Sequence, residues 1–274
     1  MIVSKIRGGL GNQLFQYAAG RCLADMHNTS LLLDASWYKT GKRPFMLDQF
    51  RIEADVSRDD LSQADDGVGF NQERWCFYTG FLKYPGYRFL SGWWQSERFF
   101  LPAAEIIRRD LAFSSPELRN EAQNWHRQFR TALDGPVVAL HVRRQDYVSL
   151  SAVGHFSLPD QHYYRAAMTE FPSNSTFLLF SDDLAWCREN MSYPGVEFCD
   201  IEDTLLSFTV MQMCDHFIIA NSTFSWWAAW LGEGSCTRVI SPRAQDWFGQ
   251  NQRKNNEMGH MIPSRWVQLS ASGG

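Results

Sequence analysis

The sequence predicts an α/β chain of two Rossmann-like domains, and three observations carry that prediction. First, four short apolar runs recur through the second half, VVALHV (137–142), TFLLF (176–180), HFIIA (216–220) and RVIS (238–241), each bounded by polar or turn residues. Short, mainly apolar runs of that length read as strands buried on both faces of a parallel sheet. Second, segments of helical character separate them: PDQHYYRAAMTEF with Asp160 as an N-cap, DLAWCREN, and EDTLLSFTVMQMC. Third, the N-terminus follows the same logic, with IVSKI (2–6), a Gly-rich turn, the helix-spaced QLFQYAAGRCLADMH and then LLLD (31–34). That is a β-loop-α-β opening. The turn Asp134-Gly135-Pro136 divides the chain into residues 1–134 and 135–274. Residues 68–100 are dense in aromatics and show no clear period.

With 274 residues, 45% of them hydrophobic, the chain can build two ordinary cores. A formal net charge of −4 and a pI near 6.0 argue against nucleic-acid binding, which needs a basic excess, so an anionic ligand must be met locally. The six cysteines form no CxxC pair and no Cys/His pattern of zinc spacing, which makes them mostly buried thiols. No signal-peptide core and no run of membrane-spanning length occurs, which places the chain in the cytoplasm.

In an open parallel sheet, the residues that follow the strands share one edge, where ligands bind. After the first strand of the second half comes HVRRQDY (141–147), with His141, Arg143, Arg144 and Asp146. The guanidinium fork matches phosphate oxygens in pairs, so this is either a strand-end ion pair or an anion clamp, and the doubled arginine beside a histidine favours the clamp. Adjacent residues of an extended chain point to opposite faces, so both arginines reach one ligand only if the strand ends between them. After the third comes NSTFSWWAAWL (221–231), where Ser222, Thr223, Phe224 and Ser225 open a helix. Its free N–H groups and dipole can hold a diphosphate, with Trp226, Trp227 and Trp230 as core behind it. Ser181-Asp182-Asp183 complement a helix dipole, with a ribose or base contact as the secondary reading. Asp203 either caps a helix or accepts from the N1–H and N2–H₂ donors of guanine.

RGGLGNQ (7–13) occupies the place of a dinucleotide fingerprint, with Gly9 and Gly11 fitting, Leu14 where the third glycine belongs and Asp34 near the expected ribose acid. It is either a plain strand-to-helix turn or a tight loop presenting Asn12 and Gln13 to a polar ligand. Of the aromatics Trp75, Tyr78, Phe81, Tyr84, Tyr87, Trp93 and Trp94, most belong to the core. Trp94 is the member kept as an acceptor contact.

Taken together, GGLGNQLFQYAAG (8–20), GWWQSERFF (92–100), HVRRQDYV (141–148), FSDDLAWC (180–187) and NSTFSWWAAWL (221–231) resemble the bacterial α-1,2-fucosyltransferases, in the family's order and over most of the chain. The resemblance implies a two-domain glycosyltransferase of the GT-B type. It also implies GDP-fucose as donor, a galactose-terminated acceptor, inversion at the anomeric carbon, and no cofactor or metal. It assigns His141 and Asp203 to guanosine, Arg144 to the pyrophosphate, Ser222 to Ser225 to phosphate, and Asn12 to the fucose and acceptor. Gln145 stands where the family often has a small residue such as glycine.

Inverting transfer through an oxocarbenium-like transition state needs charge stabilisation on the departing diphosphate and a base for the acceptor hydroxyl. Arginine stays protonated, so Asp146 is the first base candidate and His155, of a residue type that exchanges protons near neutrality, is the second. Two rivals from other classes are a nucleotide-dependent oxidoreductase on the first β-loop-α unit and a non-catalytic carbohydrate-binding protein. The missing third glycine disfavours the former, and a diphosphate clamp has no use in the latter.

Overall fold

The computed structural model describes residues 1–62, 69–72, 76–83, 88–253 and 257–273. The chain forms two compact units, Met1–Ser115 with Asn256–Met261, and Pro116–Asn255 with Ile262–Gly274. The boundary therefore falls earlier than the turn at 134. The helix Pro116–Arg130 belongs with the second unit, where Arg130 Nη1 donates to Asp215 Oδ2 at 2.7 Å, and a short segment near 260 returns to the first.

The first unit is built from β1 (Ile2–Lys5), α1 (Leu10–Met26), β2 (Leu31–Asp34), β3 (Asp55–Ser57), β4 (Phe70–Asn71), β5 (Phe89–Ser91) and α2 (Ala104–Asp110). The five strands form one sheet in the order β3-β2-β1-β5-β4, with every pairing parallel. β1 and β2 fall where the sequence predicts them. β3 to β5 are two or three residues long, too short for a hydrophobic period to show. α1 is buried along most of its length, which is why its apolar pattern is broad and not confined to one stripe. It is anchored to α2 by a buried polar knot: Asp110 accepts from Tyr17 Oη at 2.8 Å and from Arg21 Nε at 3.0 Å. Burial and the Asp110 charge drive the Tyr17 pKa upward, so it remains a donor.

The second unit follows with α3 (Pro116–Arg130), β6 (Val137–Val142), α4 (Gln145–Ala152), α5 (Gln161–Met168), β7 (Thr176–Ser181), α6 (Leu184–Asn190), β8 (Val196–Phe198), α7 (Thr204–Gln212), β9 (His216–Ile218), α8 (Thr223–Gly232), β10 (Val239–Pro242), α9 (Gln250–Arg253) and β11 (Val267–Leu269). All six strands pair in parallel in the order β11-β10-β9-β6-β7-β8. β6 is central and buried at every position. Tyr163 of α5 is fully buried and donates its hydroxyl to the Ile219 carbonyl at 2.7 Å, which ties that helix to the end of β9. Asp160 caps α5 as the sequence predicts, accepting from Tyr163 N at 3.0 Å.

The strand orders decide where ligands can enter. In a doubly wound sheet the crevice opens outside the carboxyl ends of the two strands between which the order reverses. That point lies between β1 and β5 in the first unit and between β6 and β9 in the second. Four of the five sequence blocks singled out above are the segments that leave these four strands, and the fifth, FSDDLAWC, leaves β7 beside β6.

Candidate active site

The second unit gathers its charges where β6 ends. The strand stops at Val142, so Arg143 and Arg144 sit in the turn into α4, with Arg144 as the residue that begins the helix. Arg143 is occupied: its Nη2 donates to Asp146 Oδ1 at 2.5 Å, its Nη1 lies 2.9 Å from Asp182 Oδ2, and its guanidinium lies 5.3 Å from the Tyr147 ring. Arg144 is held differently. Its backbone N donates to Asp182 Oδ1 at 2.8 Å, its Nε donates to Asp183 Oδ2 at 3.4 Å, and its guanidinium carbon stands 3.5 Å above the Trp186 ring. Among the described residues no hydrogen bond or ion pair occupies its two terminal nitrogens. Arg144 is thus a guanidinium fixed by one face and one edge, with its terminal donors available.

The acids of this cluster have structural duties. Asp182 and Asp183 come from the end of β7, and Asp183 also caps α6 by accepting from Trp186 N at 3.2 Å, with its own N–H donating to Ser181 Oγ at 3.0 Å. The cluster contains one more carboxylate than guanidiniums, so its attraction for an anion rests on directed donors and not on net charge. Gln145, the departure from the family pattern, donates its side-chain amide to the Asp182 carbonyl at 2.6 Å and so fastens the loop to β7.

His141 lies on β6 behind this cluster, only 6% exposed, with its ring 5.8 Å from that of Phe224. Burial, reinforced by the Arg143 charge, pushes its pKa down to about 3, so the imidazole is neutral. Its Nδ1 is buried and has no partner among the described residues, an orphan of the kind a ligand satisfies. The start of α8 lies at the end of β9. Ser222 occupies the N-cap position yet makes no capping hydrogen bond, and the first turn carries no acid. By contrast α6 and α7 are closed by Asp183 and Asp203, the latter accepting from Leu206 N at 2.7 Å. The positive end of α8 therefore keeps donors for an anion. Ser225 is fully buried and bonds back to the Ser222 carbonyl at 3.3 Å, so of the four phosphate candidates it is the one turned into the core. Trp226, Trp227 and Trp230 are core, as expected. Asn221 donates to the carbonyls of Ser157 (2.7 Å) and Trp247 (2.8 Å), fixing two loops beside the helix start. His155 is exposed in the turn after α4, its Nε2 3.2 Å from the Gln252 amide.

In the first unit the glycine loop after β1 meets the segment after β5. Gly8 has φ +87, and a Cβ there would lie 2.8 Å from Asn12 Nδ2, so only glycine allows this turn over α1. Asn12 is half-buried and accepts from Gln95 Nε2 at 2.9 Å, while Arg7 lies 4.5 Å over the Trp93 ring. Two expectations are corrected. Gln13 is fully buried and its amide is consumed, donating to the carbonyls of Gly8 and Pro44 and accepting from Met46 N at 2.8 Å; it clamps the loop and presents nothing to an acceptor. Trp94 is also fully buried, packed against Phe70, Phe81 and Phe99, so it is core and not an acceptor wall. Trp75, Tyr84 and Tyr87 lie outside the described residues.

Trp94 nonetheless shapes the site through its backbone. Its φ of +54 is unusual for a bulky residue, and the conformation is held by Gln72 Oε1, which accepts from the N–H groups of both Trp93 and Trp94 at 2.9 Å. Burying Trp94 in that turn leaves Trp93 and Gln95 partly exposed beside the glycine loop. Sequence reasoning missed these two residues, and it missed Trp186. Only for Trp186 was there a signal, an aromatic three residues after an N-capping aspartate at a strand end.

Residues 1–262 match the model of glycosyl transferase family 11. The chain is 29% identical to an α-1,2-colitosyltransferase of Escherichia coli, over 98% of this chain and 99% of that one. It is also 29% identical to galactoside 2-α-L-fucosyltransferase SEC1 of Bos taurus, over 84% of this chain and 64% of that one. Among solved structures it is similar to NodZ α-1,6-fucosyltransferase soaked with GDP-fucose, with a TM-score of 0.55 and 16% identity over 90% of this chain and 96% of that one. POFUT1 in complex with GDP gives a TM-score of 0.50 and 15% identity over 88% and 96%. At such identities the structural likeness speaks for the fold, which is the two-sheet GT-B architecture.

Proposed function

Since the chain belongs to glycosyl transferase family 11, we propose that it transfers L-fucose from GDP-β-L-fucose, with inversion and without a metal or cofactor, to the 2-hydroxyl of a terminal galactose. The observation that carries this reading is the pairing at the β6/β9 edge of an immobilised Arg144, with its terminal donors available among the described residues, and an α8 N-terminus whose N-cap residue, Ser222, makes no capping hydrogen bond. Both supply N–H groups to a diphosphate. As the glycosidic bond breaks, negative charge grows on the departing GDP, and preorganised donors stabilise that charge more in the transition state than in the ground state. The orphaned His141 Nδ1 is assigned to the nucleoside, where a neutral imidazole exchanges a hydrogen bond without adding charge. Asp203 keeps one oxygen for the α7 cap and offers the other to the base. Asn12 is assigned to the acceptor side.

The proton of the acceptor hydroxyl needs a base. Asp146 is bonded to Arg143, which favours an orienting duty over proton transfer. Asp146→Asn is therefore expected to raise the KM for GDP-fucose and lower kcat together. A loss of about 10²–10⁴-fold in kcat alone would return the base role to Asp146. Loss confined to His155→Gln would give it to His155.

One observation favours a second donor: near-complete mutual coverage with an α-1,2-colitosyltransferase. Colitose is fucose without the 3-hydroxyl, so the same GDP clamp serves both. The test is a panel of galactosides, including lactose and N-acetyllactosamine, with GDP-fucose and GDP-colitose in parallel, followed by GDP release and by NMR of the linkage. GDP release that depends on a galactoside, with an α-1,2 linkage, is expected with GDP-fucose. No release with any galactoside, or a different linkage, overturns the reading, and turnover confined to GDP-colitose replaces the donor.

A further inference from the structure

The second unit contains a cleft of about 680 Å³ that the assignments above leave unused. One wall is the C-terminal end of α4 with the turn behind it, Ser151 to Leu158; the other runs from Asp246 to Arg253, closed by Ala271 and Ser272. The volume falls in the range of small-molecule sites, roughly 300–1,000 Å³. We propose that this cleft binds the sugar residues that follow the terminal galactose of the acceptor, a saccharide subsite resting on the transferase reading above.

The cleft is a built structure. Gly249 lies so close to Gly154 that a Cβ on it would meet the Gly154 carbonyl oxygen at 2.2 Å, and two backbone bonds lock the contact, Gly249 N to His155 O at 3.0 Å and Asn251 N to Gly154 O at 3.2 Å. Asn251 Nδ2 donates across to Val153 O at 2.9 Å, and Arg253 Nη2 to Ser157 Oγ at 3.1 Å. A rigid floor of this kind loses little entropy when a ligand binds.

Its chemistry selects an uncharged, hydroxylated ligand. The lining is mainly hydroxyl, amide and backbone, which both donate and accept, as sugar hydroxyls do. Among the described lining residues the basic and acidic side chains are Arg253 and Asp246, which lie 3.6 Å apart and offset each other, as suits an uncharged ligand. Phe156 supplies an aromatic surface, held by stacking on Tyr147 at 4.2 Å and 2°.

Its position fits the acceptor. Tyr147 belongs to α4, whose first turn follows Arg144 and whose last turn lines the cleft. Eight helical residues span about 12 Å, so the cleft begins roughly one or two sugar lengths from the arginine. Asn221, in the turn between β9 and α8, bonds to Ser157 on one wall and Trp247 beside the other, linking the cleft to the same edge of the sheet.

The test compares a minimal acceptor, methyl β-galactoside, with a galactose-terminated tetrasaccharide. The variants are Ser272→Trp, which fills the cleft from an exposed position, and Gln250→Ala, which removes an exposed amide. With unchanged Tm, kcat/KM for the tetrasaccharide should fall about tenfold in Ser272→Trp and about threefold in Gln250→Ala, while values for methyl β-galactoside and GDP-fucose stay within twofold. An equal change for both acceptors, or none, overturns the subsite. Saturation-transfer NMR of the tetrasaccharide needs no turnover and so separates this proposal from the transferase reading. Signals lost in Ser272→Trp support the cleft even if the donor is wrong, and signals unchanged refute it even if the enzyme fucosylates.

Discussion

At the residue scale, Arg144 and Trp186 should behave as one device. A guanidinium over an indole contributes about 0.5–2 kcal/mol and, more usefully, limits the rotamers of a long side chain. Arg144→Lys keeps the charge and loses the planar fork, so kcat should fall by about 2–4 kcal/mol of transition-state stabilisation with Tm unchanged. Trp186→Leu should lower kcat more than it raises the KM for GDP-fucose, and Trp186→Phe should restore most of it, because a ring and not bulk orients the arginine. Near-normal kcat in Arg144→Lys would assign the clamp elsewhere. His141 gives a second test, through pH. Its folded pKa of about 3 lies below the unfolded value of 6.5, so the unfolded chain takes up this proton first as pH falls. The stability it contributes is complete above pH 6.5 and is lost progressively between 6.5 and 3. His141→Asn should therefore lose less Tm than the wild type across that window, and parallel curves would place His141 in a solvated setting.

At the scale of elements, each ligand-facing edge is made by segments leaving neighbouring parallel strands. The glycine loop after β1 and the Trp93–Gln95 turn after β5 are joined by Asn12–Gln95 and Arg7–Trp93. The arginine turn after β6 abuts the end of β7 through Asp182 and Asp183. Gly8→Ala tests the first of these. A left-handed φ costs an L-residue roughly 1–2 kcal/mol, and the new methyl would push Asn12 from Gln95. Calorimetry should show a Tm lower by several degrees, and kinetics a larger loss against the acceptor than against GDP-fucose. An unchanged Tm would mean that the turn relaxes. The short strands β3, β4, β5, β8 and β11 escaped the sequence because two or three residues cannot display a period. The long runs at β6 and β7 were legible because burial on both faces makes them mainly apolar.

For the whole molecule, the positive charge that meets a diphosphate should come from the chain itself. Activity is expected to persist in excess EDTA, with little change on adding Mg²⁺. Abolition by EDTA and recovery with Mn²⁺ would release Asp182 and Asp183 from the structural duties described above. No helix of the described residues is long and apolar enough to cross a membrane. What the sequence determined by itself was the class of fold, two parallel sheets, and the chemistry carried by its motifs: an arginine pair at a strand end, a serine- and threonine-rich helix start, and a glycine turn. Those are local properties, set by residue type and spacing within one strand and the loop after it. Which of two adjacent arginines keeps its donors available was decided only in three dimensions, because Asp146 and Asp182 claim Arg143 while Trp186 and Asp183 brace Arg144. The same holds for Gln13 and Trp94, whose residue types suit a ligand but whose side chains are enclosed. Burial depends on packing partners far apart in sequence, such as Gln72 against Trp94 or Pro44 against Gln13, and no spacing rule encodes those contacts.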